Sequence, residues 1–265
     1  MSLQSTVLMS PGAGLADAAQ GAWHLVTRLG EAQILLPAMF AALLWLVLVA
    51  RAPRTALWWL ATTAVAASIT TATKVAFIGY EVGYAPLDYT GISGHAMFAA
   101  AVLPVLAGII AAGAAPRWRL GAVAAGYGLA AVIAYSRLPV GAHSAFEAVA
   151  GLALGSVASA LALVAHRLPP TRPPLWLGIG LGLWMLSLPV GLPPSPTHSW
   201  VVQLSLAVSD RAKPYSRQAM HRDHRRELKR RRAAEPSVQA SAHIPVQAPV
   251  QVSAQVSTQR TLRRR

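Results

Sequence analysis

The sequence contains no cysteine, which excludes disulfides and thiolate chemistry and leaves the compartment open. Charge is scarce as well: Asp, Glu, Lys and Arg make up 12% of the residues, where an ordinary soluble domain carries about 25%. Acidic residues are the scarcest, 9 against 23 Lys and Arg, so the formal net charge is +14 over 265 residues. Residues 1–30 show no basic start followed by an apolar core, so no signal peptide is expected, and AWHLVTRLGEAQ reads as an amphipathic interfacial lead-in.

What fills the chain instead is apolar: 54% of residues are hydrophobic and the mean hydropathy is +0.45. Uncharged stretches run over 33–50, 55–73, 96–116, 120–135, 148–165 and 173–197. A hydrocarbon core about 30 Å thick needs roughly 20 apolar residues of helix. The expected architecture is an all-α polytopic membrane bundle of about six transmembrane helices. Its parts are an interfacial segment (1–32), a membrane domain (33–209) and a basic C-terminal tail (210–265). Frequent Ala and Gly let neighbouring membrane helices approach closely.

Orientation follows from the short loops. Arg51 and Arg54, Arg117 and Arg119, and Arg167 and Arg172 follow the first, third and fifth spans, whereas the opposite face holds only Lys74 and Arg137. The arginine-rich face is therefore expected to be cytoplasmic and the Lys74/Arg137 face external. The tail, with DHRRELKRRR and a terminal RTLRRR, then lies outside too. Its low-complexity composition predicts disorder and no part in the chemistry. Nucleic-acid binding, attachment to anionic lipid headgroups and simple solvation all remain open for it, although no interleaved aromatics or preceding nucleic-acid fold support the first.

Two segments on the expected external face, KVAFIGYEVGYAPLDYTGISGH and SRLPVGAHSAFE, together collect Lys74, Glu81, Asp88, Ser93, His95, Arg137, His143 and Glu147. His143 and Glu147 are four apart at the start of the fifth span and share a helix face. A carboxylate there can fix one imidazole tautomer and leave the other nitrogen as nucleophile or base. Ser93, Gly94 and His95 stand where the third span begins, and a helix N-terminus offers unpaired N–H groups to an anion. Lys74 and Arg137 add positive charge, the latter with a fork suited to phosphate. Together these residues fit phosphoryl transfer. Asp88 is expected to pair with Lys74 or Arg137, and His198 to be an interfacial residue.

The third motif reads Ser136-Arg137, five residues, His143, three residues, Glu147, and Ser93-Gly94-His95 lies upstream. In this order they resemble the type-2 phosphatidic acid phosphatase superfamily, whose pattern is K-x6-RP, PSGH and SR-x5-H-x3-D; the likeness covers roughly residues 74–165. The resemblance implies a lipid phosphate or pyrophosphate as substrate and no cofactor or metal. It further implies His143 as the nucleophile forming a phosphohistidine, Glu147 orienting it and His95 as acid and then base. Lys74, Ser93, Gly94 and Arg137 would hold phosphate oxygens. Three positions depart from the pattern: Glu147 replaces aspartate, Ile92 replaces the proline, and Glu81 stands where the first motif has arginine.

Rival readings have weaker footing. A zinc hydrolase using His95, His143 and Glu147 leaves Arg137 and the SGH unexplained, and no HExxH occurs. A transporter would place polar groups at mid-depth, whereas these cluster at one rim. A lapsed lipid-phosphate binder is motivated by Glu81. The short loops, the resemblance and heavy Ala and Arg usage lead to an expected bacterial inner membrane with the site facing the periplasm.

Overall fold

The computed structural model describes residues 11–165, 171, 173–191 and 195–241. It is an all-α bundle; among the described residues, only an isolated bridge between Tyr84 and Tyr89 has β pairing. The helices are α1 (Pro11–Arg28), α2 (Ala32–Leu48), α3 (Pro53–Tyr80), α4 (Gly94–Ile110), α5 (Pro116–Ser136), α6 (Ala145–Ala165), α7 (Leu175–Gly191), α8 (Thr197–Ser209) and α9 (Arg217–Ser241). Pro53 and Pro116 open α3 and α5, where a missing N–H costs no helical bond. Among the described residues, four segments are long and apolar enough to cross a membrane: Ala19–Leu48, Pro53–Tyr80, Pro116–Ser136 and Ala145–Val164. Two shorter apolar helices, Gly94–Ile110 and Leu175–Met185, stand at the expected third and sixth spans.

The bundle is built around α4, which is buried at Ala96, Met97, Ala99–Leu106, Gly108 and Ile109. Its neighbours reach it through glycines. A Cβ on Gly155 of α6 would stand 2.1 Å from the Met97 carbonyl oxygen, and one on Gly151 would stand 2.5 Å from that of Ser93. On α5, a Cβ at Gly126 would lie 2.7 Å from Cα of Pro104. Small residues four apart allow such backbone approach, and here they bring the start of α6 beside the start of α4. Buried Trp59 on α3 donates its indole N–H to the Ala101 carbonyl at 3.0 Å, fixing α3 against the same helix. Outward-facing Leu44, Leu48, Leu57, Trp58, Val149 and Val164 are exposed, as helices that are apolar all round require in hydrocarbon.

Some boundaries differ from the expected ones. Lys74 is not in a loop: α3 continues through it to Tyr80, because VAFIGY is itself apolar and a lysine stem can lie along a helix. The expected sixth span holds α7, and a further helix, α8, follows it and packs beside the last turns of α3, with the Tyr80 hydroxyl donating to the Val208 carbonyl at 3.1 Å. The segment expected to be disordered from residue 210 is helical over Arg217–Ser241; the stretch beyond 241 lies outside the described residues, as does Arg167. Residues 1–222 form one compact unit, and 223–265 form another. In the latter, Arg231 pairs with Glu227 at 2.8 Å.

Gly155→Ala should lower the unfolding free energy in mixed micelles by about 1–3 kcal/mol, since backbone must move to admit the methyl. Gly128→Ala on α5, with open space at its Cβ position, should be neutral to within about 1 kcal/mol.

Candidate active site

The site forms where four helix ends meet. Ser93 caps α4 with extended backbone (φ −69°, ψ 113°), and its N–H donates to the Glu147 carbonyl oxygen at 3.1 Å. That bond joins the SGH segment to the first turn of α6. Gly91, at φ +131°, turns the chain beside Lys74, where a Cβ would come within 3.0 Å of the lysine Cγ. The Ile92 N–H donates to Thr73 Oγ1 at 3.1 Å, tying the same loop to α3.

Glu147 is fully buried, and both its carboxylate oxygens are filled. Oε2 accepts from His143 Nδ1 at 2.7 Å, the Ser144 N–H at 3.1 Å and Arg217 Nη2 at 2.8 Å. Oε1 accepts from the Thr90 N–H at 2.5 Å and the Thr90 hydroxyl at 2.7 Å. A carboxylate taken from water needs such compensation. With its Nδ1–H given to the carboxylate, neutral His143 keeps the Nε2 lone pair free. Burial pushes the His143 pKa below its ordinary value; the Glu147 hydrogen bond opposes this, and the Lys74 and Arg137 charges reinforce it.

His143, His95, Lys74, Gly94 and Arg137 line one cavity of about 810 Å³. Ser93 and Glu147 are buried behind this lining. Arg137 donates through Nη1 to Thr27 Oγ1 at the end of α1, while its Nε is buried without a partner, as is the Ser93 hydroxyl. The rest of the wall mixes apolar side chains, among them Leu36, Met97, Phe98, Val201 and Leu204, with the polar residues Thr70, Thr71, Thr90, Tyr215 and Arg217. His198 also lines the cavity, although the sequence suggested only an interfacial position. Among the described residues, no three His, Asp or Glu side chains converge as a metal-binding group.

Two acidic residues depart from expectation. Asp88 pairs with Arg217 and His221 rather than with Lys74 or Arg137. It sits in the left-handed region (φ 50°) after the 3-10 turn Ala85–Leu87, and residues 217–221 reach it there. Glu81 caps α3 in the left-handed conformation (φ 60°) and pairs with Arg211 at 2.5 Å. Thr90, Thr27 and Arg217 are the contributors that sequence reasoning missed. Each reaches the site across at least 57 residues of chain, a separation that leaves no local spacing to read.

The sequence matches the family model of the PAP2 superfamily over residues 73–170. It is also 37% identical over 206 residues to an uncharacterized 22.5 kDa protein in the cps region of Klebsiella pneumoniae, covering 76% of this chain and 98% of that protein. The chain belongs to the PAP2 superfamily. No solved structure matches it. The PAP2 match begins one residue before Lys74 and takes in the SGH segment, Arg137, His143 and Glu147.

Glu147→Gln should move the His143 titration midpoint further down, because it removes the interaction that raises it. NMR of histidine-labelled protein reads this directly; an unmoved midpoint would mean the carboxylate does not govern the imidazole.

Proposed function

We propose that this protein is an integral-membrane phosphatase that hydrolyses a lipid phosphate or pyrophosphate through a phosphohistidine, without a metal. The observation that carries the reading is the His143–Glu147 pair at 2.7 Å, set beside a cavity that Lys74 and Arg137 line together with apolar side chains such as Leu36, Met97, Phe98 and Leu204. Superfamily membership supports a phosphatase acting on lipid phosphates in general.

In the proposed reaction, His143 Nε2 attacks phosphorus and the bond to the leaving oxygen breaks. Its Nδ1–H remains on Glu147, whose charge stabilises the cationic imidazole as the new bond forms. His95 gives its proton to the departing oxygen. It then takes a proton from water, which attacks the phosphohistidine and returns His143 to its starting state. Lys74, Arg137, the Ser93 hydroxyl and the N–H groups at the start of α4 balance charge on the phosphate oxygens. The walls of Met97, Phe98 and Leu204 suit a lipid chain. Phosphatidic acid, phosphatidylglycerophosphate and prenyl pyrophosphates all have the required chemistry. An external, periplasmic orientation is supported by Arg51, Arg54, Arg117 and Arg119, which flank the helix ends remote from the site.

Detergent-purified protein should release phosphate from these lipids with chelator present, and His143→Ala should abolish release. Full activity in a clean His143→Ala preparation would remove the covalent route. His95→Ala should slow turnover by about 100-fold or more, least for substrates with good leaving groups. Vanadate, as a mimic of five-coordinate phosphorus, should compete with substrate.

A further inference from the structure

The mechanism above leaves one buried contact unused. After α8 the chain turns back across the external end of α3. Arg211 pairs with Glu81, the Tyr215 N–H donates to the Ile78 carbonyl at 3.0 Å, and the Tyr215 ring lies 5.4 Å from that of Phe77. Met220 is buried with Phe77 and Ile78, and His221 reaches Asp88. Residues 211–222 thus form a strap clipped to α3 and the following loop. It carries Arg217 to the site, where Nη2 donates to Glu147 Oε2 at 2.8 Å and Thr90 Oγ1 at 3.1 Å, while Nη1 donates to the Asp88 carbonyl and carboxylate.

The geometry points to Arg217 as a positioning residue that completes an Arg217–Glu147–His143 relay and sets the basicity of the nucleophile. This rests on the phosphatase reading for its catalytic meaning, but the electrostatic effect stands without it. Oε2 is shared between the guanidinium and the imidazole, so positive charge on Arg217 draws on the same lone pairs that stabilise protonated His143. The cation therefore restrains the carboxylate from turning its partner into an imidazolium, which could not attack phosphorus. The other charged groups around His143 are Lys74 from α3, His95 from α4, Arg137 after α5 with Glu31 near it, and His198 from α8. Asp88 and His221 stand behind Arg217. Of the cations around His143, Arg217 is the one that also hydrogen-bonds its carboxylate.

The test uses full-length protein in detergent with labelled histidine, His143 being assigned by its loss in His143→Asn. Arg217→Gln should raise the His143 midpoint by about one unit, opposite in sign to Glu147→Gln. Arg217→Lys, keeping the charge, should bring the midpoint back toward wild type. On dioctanoyl phosphatidic acid micelles, Arg217→Gln should lower kcat about 10- to 100-fold, as loss of a residue that orients a working histidine does in metal sites. Its acid limb should move up with the midpoint, and Arg217→Lys should recover part of the rate. A His143 midpoint unchanged in Arg217→Gln would overturn the proposal. So would an Arg217→Lys protein displaced as far as Arg217→Gln, because the strap would then act through packing alone. A wild-type protein silent on every lipid phosphate would remove the phosphatase reading instead, with the titration still deciding the role of Arg217.

Discussion

One buried carboxylate organises the end of the bundle where α4 and α6 begin. Glu147 has no exposure, and the donors that satisfy it come from three separate parts of the chain: the loop before α4, the turn before α6 and the start of α9. Leaving such a charge short of partners is strongly unfavourable in a low-dielectric interior. The loop, the histidine and the strap are therefore held in place by a common requirement. The glycines of α6 make this feasible, because only a close approach to α4 puts the Ser93 N–H within reach of the Glu147 carbonyl.

The same arrangement divides the cavity by chemistry. Where α3, α4 and the chain after α5 end, lysine, arginine and imidazole groups face inward. Leu36 of α2, Met97 and Phe98 of α4, and Val201 and Leu204 of α8 add hydrocarbon to the same wall, beside Thr197 and His198.

Much of this was legible in the sequence, for physical reasons that also mark where legibility stops. Long uncharged runs can only be stable as helices in a bilayer, so the all-α bundle was visible at once. His143 and Glu147 could be paired because helical spacing puts residues four apart on one face. Lys74 was misplaced into a loop because charge was read as a boundary, whereas its stem lies along α3. Arg217 sat unremarked among other arginines of a basic segment. Only the folding of that segment over α3 distinguishes it, and no local period encodes a contact spanning 70 residues of chain. Asp88 had the right kind of partner predicted but the wrong residue, for the same reason.

Arg217 follows all the apolar helices in chain order, yet it fills a position beside the first turn of α6. A ribosome releasing this chain therefore delivers His143 and Glu147 well before the guanidinium that completes their hydrogen bonding. Arg217 must also arrive at the same end of the bundle as the His143 loop. Closure of the Glu147 hydrogen-bond set thus waits on the segment that follows α8.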